Sequence, residues 1–250
     1  MLTHPHRMAT TTSLNDGDVR IVKLSPSSLS FDWDGCKACW WHFHAAPTKE
    51  KKVFQPFPKI FTIIDSAVKE CFVGQVASTM MPVDDTSVDG RISGGVTLRS
   101  EPFVPKGCVT AIELGGRTDF IVTFDDGTYG VPDAKTSEVK PEHVEFYGRQ
   151  LNAYAWCLVN PNLNRHVKGA PECPVEVSRL GLYYFTPGSF WVGDNRRAQL
   201  LGESCWTEVP VDLAGFETFM SQVGQVVDMP VAPPGNPDCQ LCQLRSCSKA

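Results

Sequence analysis

Two short, largely apolar runs near the middle of the chain, residues 119–124 and 128–135, are rich in Val, Ile, Phe, Tyr and Thr. Beta-branched and aromatic residues in runs of this length predict β-strands. Between them stands Asp125-Asp126-Gly127, where glycine can take the left-handed position that closes a three-residue hairpin loop. With that loop Asp119 lies opposite Asp133, and Lys135 shares their face because side chains alternate along a strand. A two-residue turn would slip the register by one and send Asp119 to the other face.

Downstream, Phe146, Gln150, Tyr154 and Leu158 recur every four residues between Pro141 and the stop Asn160-Pro161, which predicts a helix over residues 141–159. Gln150 and Tyr154 then sit one turn apart on one face. Further helices are predicted over 54–72, entered through Pro56 and Pro58, and over 213–227. Strands are predicted over 108–114, 175–185 and 199–209, the last two pairing through Gly188 and Gly193. Residues 82–95, rich in Asp, Ser and Gly, read as a loop bordering a substrate groove, and polar residues 1–18 as a disordered tail. Strands and helices in this order predict an α/β fold, a mixed central sheet flanked by helices, forming a single domain over 19–250 whose last segment, 229–250, follows a Pro-rich linker.

At 250 residues with 42% hydrophobic positions the chain can bury a full core. No apolar run reaches membrane-spanning length, and the N-terminus lacks the apolar stretch of a secretory signal. A cytoplasmic, nucleoid or nuclear protein is expected, neither secreted nor membrane-bound. A net charge of −5 offers no global basic footprint for nucleic acid. Local patches remain: Lys49, Lys51 and Lys52; Arg165, His166 and Lys168; Arg196 and Arg197. Trp40, Trp41 and Trp191 are candidates for stacking on bases, and a Trp beside a Cys equally shields a metal site.

Two carboxylates held close together repel, and a hard cation such as Mg2+ or Mn2+ relieves that by taking oxygen ligands from both. A neighbouring lysine can then orient or deprotonate water, or neutralise charge building on a phosphate. Gln150 and Tyr154 could together hold a phosphate or bridge to that lysine.

Ten cysteines are spread unevenly. Cys36-x-x-Cys39 stands near the start, and Cys239-x-x-Cys242-x-x-x-x-Cys247 near the end. Paired C-x-x-C units supply soft ligands for zinc or an iron–sulfur cluster. Such ligation would close a loop of about two hundred residues and so remove much unfolded-chain entropy. Cys71, Cys108, Cys157, Cys173 and Cys205 stand singly and read as free thiols.

Asp119, Asp133-Ala134-Lys135 and Gln150-x-x-x-Tyr154, on strand, strand and helix, resemble the PD-(D/E)XK nuclease superfamily and, within it, the RecB-like branch. Leu24-Ser-Pro-Ser-Ser-Leu-Ser30 ahead of Cys36-x-x-Cys39-Trp-Trp resembles the opening of that branch, with Lys37-Ala38 in place of Pro-Arg. The resemblance implies a restriction-endonuclease-like core and a metal-dependent DNA nuclease, of the kind used in DNA repair among other processes. Asp119, Asp133 and the Ala134 carbonyl would bind Mg2+ or Mn2+, Lys135 would activate water, and Gln150 and Tyr154 would orient lysine and phosphate. An early helix usually adds a further acidic or His ligand; Asp65 and Glu70 are on offer, and Glu70 is chosen. The branch often clips its termini with a [4Fe-4S] cluster, using one N-terminal and three C-terminal cysteines. The C-x-x-C at the front favours two plus two here, Cys36, Cys39, Cys239 and Cys242, with Cys247 the fifth candidate and Zn2+ the alternative ion. A rival function is a catalytically inactive nuclease-fold module that binds nucleic acid or assembles with a partner.

Overall fold

The computed structural model describes residues 20–50, 58–82, 88–165, 167–194 and 197–247, without the side chains of Glu142 and residues 245–247. The expected tail, and Lys51, Lys52, His166 and Arg196 of the basic patches, lie outside the described residues.

The chain begins with β1 (Ile21–Leu24), a single 3-10 turn (Pro26–Leu29), and two short helices, α1 (Phe31–Gly35) and α2 (Lys37–Trp40), continued by a π-helical turn (Trp41–Ala45). Next come α3 (Lys59–Phe72), β2 (Gly90–Gly94), β3 (Thr97–Arg99), β4 (Ala111–Arg117), β5 (Phe120–Phe124) and β6 (Tyr129–Lys135). The rest is α4 (Pro141–Val159), β7 (Val177–Val192), β8 (Ala198–Val209), α5 (Leu213–Val227) and α6 (Gln240–Cys247).

A five-stranded sheet has the order β2-β5-β6-β7-β8, and a three-stranded one the order β1-β4-β3. In the larger sheet only β6 and β7 run parallel, and α4 makes the crossover that a parallel pair requires. Alternation along β5 sets the layers. Phe120, Val122 and Phe124 pack with Phe72 of α3 on one side. Ile121 joins Leu151 and Leu158 of α4 and Met220 and Val223 of α5 on the other. This is the α/β sandwich expected from the element order.

Both α4 and α5 start and end at the expected residues, because each carries a full apolar stripe and a clear N-terminal signal. Asp212 caps α5 by accepting the Gly215 N–H at 2.8 Å. Other boundaries move for local reasons. α3 starts at Lys59, directly after Pro58. The strand expected over 108–114 is β4, three residues later. The preceding segment turns through Cys108 N–H to the Pro105 carbonyl at 3.0 Å, and Val109 and Thr110 give their N–H groups to the Asp228 carboxylate at 2.8 and 3.0 Å.

Part of the expected loop over 82–95 is instead the strand β2, bonded to β5, while residues 83–87 lie outside the described residues. Its Gly90 is required by close approach, since a Cβ there would meet the Thr123 carbonyl oxygen at 2.5 Å. β7 runs seven residues past its expected end, pairing there only with β8 as an exposed two-stranded arm. Gly188 falls at a bulge inside β7, and the turn closes through Gly193 N–H to Arg197 O at 2.8 Å. Backbone pairing sustains this arm without burial, so hydrophobic patterning could not reveal it. No described helix is long and apolar enough to cross a membrane.

Candidate active site and cysteine cluster

The β5–β6 hairpin closes as the sequence predicts. Gly127 has φ +84 and donates to the Phe124 carbonyl at 2.9 Å. The register is Val122 opposite Gly130 and Thr123 opposite Tyr129; carried onward, it sets Asp119 opposite Asp133. The ladder stops at Gly130, and Pro132 has no N–H with which to extend it. Asp119 bridges the opened end with its side chain, Oδ2 accepting the Ala134 N–H at 3.0 Å.

Asp133 is 4% exposed. Its Oδ1 accepts from Gln150 Nε2 at 3.2 Å, and Lys135 Nζ lies 2.5 Å from Oδ2. Oδ2 is buried, and the Lys135 ammonium is its ionic partner. Burial pushes Asp133 above the usual carboxylate range, with Lys135 opposing it and Asp119 adding to it. Burial alone would lower Lys135; Asp133 beside it outweighs that and holds it above its ordinary value. The lysine is therefore charged in this state. Its Nζ stands 4.1 Å from the centre of the Tyr147 ring, a cation–π contact. Tyr184, paired with Lys135 across β6–β7, has a buried hydroxyl with no hydrogen-bond partner among the described residues, and burial raises it to about 12.

A profile of the PD-(D/E)XK nuclease superfamily matches residues 64–247, well over half of the chain. The protein belongs to that superfamily. Nine solved chains match this nuclease-superfamily protein; one, described as the crystal structure of SSO0001, has a TM-score of 0.42 at 13% identity, covering 80% of this chain and 74% of that one. No curated protein matches.

Around the central trio of this superfamily member, the other expected residues fall in different positions. Gln150 reaches Asp133 rather than the lysine. Tyr154 is buried, and its hydroxyl donates to the Arg117 carbonyl at 2.7 Å, two residues ahead of Asp119. Burial raises its pKa well above the ordinary value. Glu70 is exposed on α3 and lines an open groove with Lys69, Gly94, Gly95, Arg117 and Asp119. Asp65, the other acid of α3, is linked to Asp119 through Lys69: Lys69 Nζ lies 2.8 Å from Asp65 Oδ2 and 2.6 Å from Asp119 Oδ1.

Two site residues were not singled out from the sequence. Tyr147 stands three before Gln150, so it shares that helix face, and helical spacing alone could have found it. Lys69 stands four after Asp65, which signals their pairing but not the reach to Asp119, a long-range contact.

At the termini, Cys36, Cys39, Cys239 and Cys242 have their sulfurs within 4.8 Å of one another. Sγ separations are 3.5 Å for Cys36–Cys242, 3.5 Å for Cys39–Cys242 and 3.6 Å for Cys39–Cys239. This is the two-plus-two arrangement; the side chain of Cys247 lies outside the described residues. Cys36 is pulled down to about 6: burial opposes the shift, but backbone hydrogen bonds from Asn236 and Cys39 outweigh it. Beside the cluster, Trp40 and Trp41 are buried. Trp40 Nε1 donates to Ser28 O at 2.7 Å and Trp41 Nε1 to Met229 O at 3.3 Å. Neither can stack on a base, whereas Trp191 on the β7–β8 arm is 53% exposed.

Proposed function

We propose that this protein is a metal-dependent DNA nuclease acting by the RecB-like version of PD-(D/E)XK chemistry. The observation that carries the reading is the convergence of Asp119, Asp133 and Lys135 where the β5–β6 ladder opens.

A hard divalent cation suits this donor set. Asp119 and Asp133 bring two carboxylates to one end of the hairpin, and oxygen donors of this kind are what such an ion takes. Asp119, Asp133 and the Ala134 carbonyl would hold Mg2+ or Mn2+, with Glu70 the ligand expected from α3. When bound, the ion polarises the phosphoryl oxygen and lowers the pKa of coordinated water.

The chain's own groups do the rest. Lys135, charged and steadied by the Tyr147 ring, orients the attacking water and neutralises charge growing on the phosphate. Gln150 fixes the Asp133 carboxylate through Oδ1 and leaves Oδ2 turned to Lys135. Tyr154 acts at one remove. By tethering the Arg117 carbonyl it holds the β4–β5 connection that presents Asp119, and it is too buried to touch a phosphate. The substrate would run along the groove beside Glu70, Arg117 and Asp119.

The four terminal thiolates form a structural site that joins the α1–α2 segment to α6. A single tetrahedral ion with metal–sulfur bonds of about 2.3 Å requires sulfurs about 3.8 Å apart, and here three pairs stand 3.5–3.6 Å apart with all four sulfurs within 4.8 Å. A [4Fe-4S] cluster binds each thiolate to a different iron, so its four sulfurs stand further apart. The spacing favours Zn2+ over the cluster that the family resemblance implies.

The test is incubation of the purified protein with single- and double-stranded DNA in Mn2+, beside Asp133→Ala and Lys135→Ala. Cleavage by the parent protein alone supports the reading; cleavage retained by both variants, or absent from all three, refutes it and leaves the inactive binding module.

A further inference from the structure

Neither the family motif nor the proposed chemistry uses Lys69. It stands on α3 and lines the groove, with its ammonium held between Asp119 Oδ1 and Asp65 Oδ2 at 2.6 and 2.8 Å. The Ala134 N–H engages Asp119 Oδ2 and Lys69 lies against Oδ1, so a cation entering at Oδ1 meets the ammonium there. We propose that Lys69 is an exchangeable counter-ion: its ammonium holds the metal position in the metal-free protein, gives up Asp119 when a divalent cation enters, and then binds a backbone phosphate of the substrate in the groove.

This exchange rests on the nuclease reading and on simple electrostatics. An ammonium and a divalent cation sharing one carboxylate oxygen would stand only a few ångströms apart, and their repulsion exceeds what an ion pair this exposed returns. One of the two must leave. Lys69 can leave because its side chain is 30% exposed, against 18% for Lys135, and lines an open groove. Gly94 and Gly95 bound that groove, presenting no side chain toward an approaching backbone. Arg117 stands on the same groove as a second cation, so the released ammonium would join a site with phosphate chemistry.

Exchange also couples the ligands. While Lys69 neutralises Asp119 and Asp65 it is withheld from phosphate, and once displaced it is available. Metal and nucleic acid should therefore promote each other's binding, and by linkage the effect is reciprocal.

The deciding experiment is calorimetric titration of the intact protein with Mn2+, a hard ion that thiolates do not prefer, comparing the parent with Lys69→Met and Lys69→Arg. Removing the competitor should tighten Mn2+ binding about tenfold in Lys69→Met, while Lys69→Arg stays near the parent. Anisotropy with a labelled oligonucleotide supplies the second readout: Lys69→Met should weaken binding several-fold in Ca2+ and leave it unchanged without divalent cation. Unchanged or weaker Mn2+ affinity in Lys69→Met, or an equal loss of oligonucleotide binding with and without Ca2+, overturns the exchange. Tighter Mn2+ binding with no cleavage by any form keeps the exchange and removes the nuclease reading. Absence of Mn2+ binding in every form removes both.

Discussion

Gln150 Nε2 donates to Asp133 Oδ1 at 3.2 Å, joining the middle of α4 to the end of β6 inside the core. The contact explains a polar amide in an apolar helical stripe. It satisfies one oxygen of a buried carboxylate and leaves the other to Lys135. If Asp133 ligates a metal as proposed, a residue that orients it in this way typically contributes 10- to 100-fold. Gln150→Ala should lower kcat by about that factor with little change in KM, and steady-state kinetics on a labelled oligonucleotide would show it. A rise in KM with kcat preserved would mean that Gln150 contacts substrate instead.

Lys135→Met removes the cation that opposes burial at Asp133, so the carboxyl, already raised, should rise further. A folded-state pKa above the unfolded value of about 3.9 means that the folded protein holds the extra proton. Stability is then full below that unfolded value and declines as pH rises through the folded one. The melting temperature of Lys135→Met should fall from pH 4 to pH 7 more steeply than that of the parent. Parallel profiles would show that Asp133 is solvated in the variant.

Tyr154→Phe deletes the hydrogen bond to the Arg117 carbonyl while keeping the packed ring. The expected cost is about 1 kcal/mol, read in denaturant unfolding, with a modest fall in kcat as Asp119 loosens. A large rise in KM with unchanged stability would indicate a phosphate contact.

With two-plus-two ligation, Cys39→Ser or Cys242→Ser should lose the bound ion and lower the melting temperature, whereas Cys247→Ser should keep one zinc per chain. Metal analysis with an optical spectrum decides this: a colourless, zinc-bearing Cys247→Ser protein fits, and a brown iron- and sulfide-bearing parent that bleaches in Cys247→Ser does not.

What the sequence determined by itself was whatever local chemistry fixes. The Asp125-Asp126-Gly127 loop set the hairpin register, and with it the opposition of Asp119 and Asp133, because only glycine takes φ +84 there without strain. The apolar stripes of α4 and α5 gave their bounds, and the paired C-x-x-C units gave the four sulfurs that come together.

Tertiary structure decided what depends on partners distant in the chain. The bond from Tyr154 to Arg117 spans 37 positions and turns an expected phosphate ligand into a backbone tether. The ion pair between Lys69 and Asp119 spans two elements whose approach is set by packing of Phe72 against Phe120. Residues such as Gly90 and Lys69 carry no local signal for these roles. Their function comes from which backbone or carboxylate the folded sheet brings within reach, and local periodicity does not encode that distance.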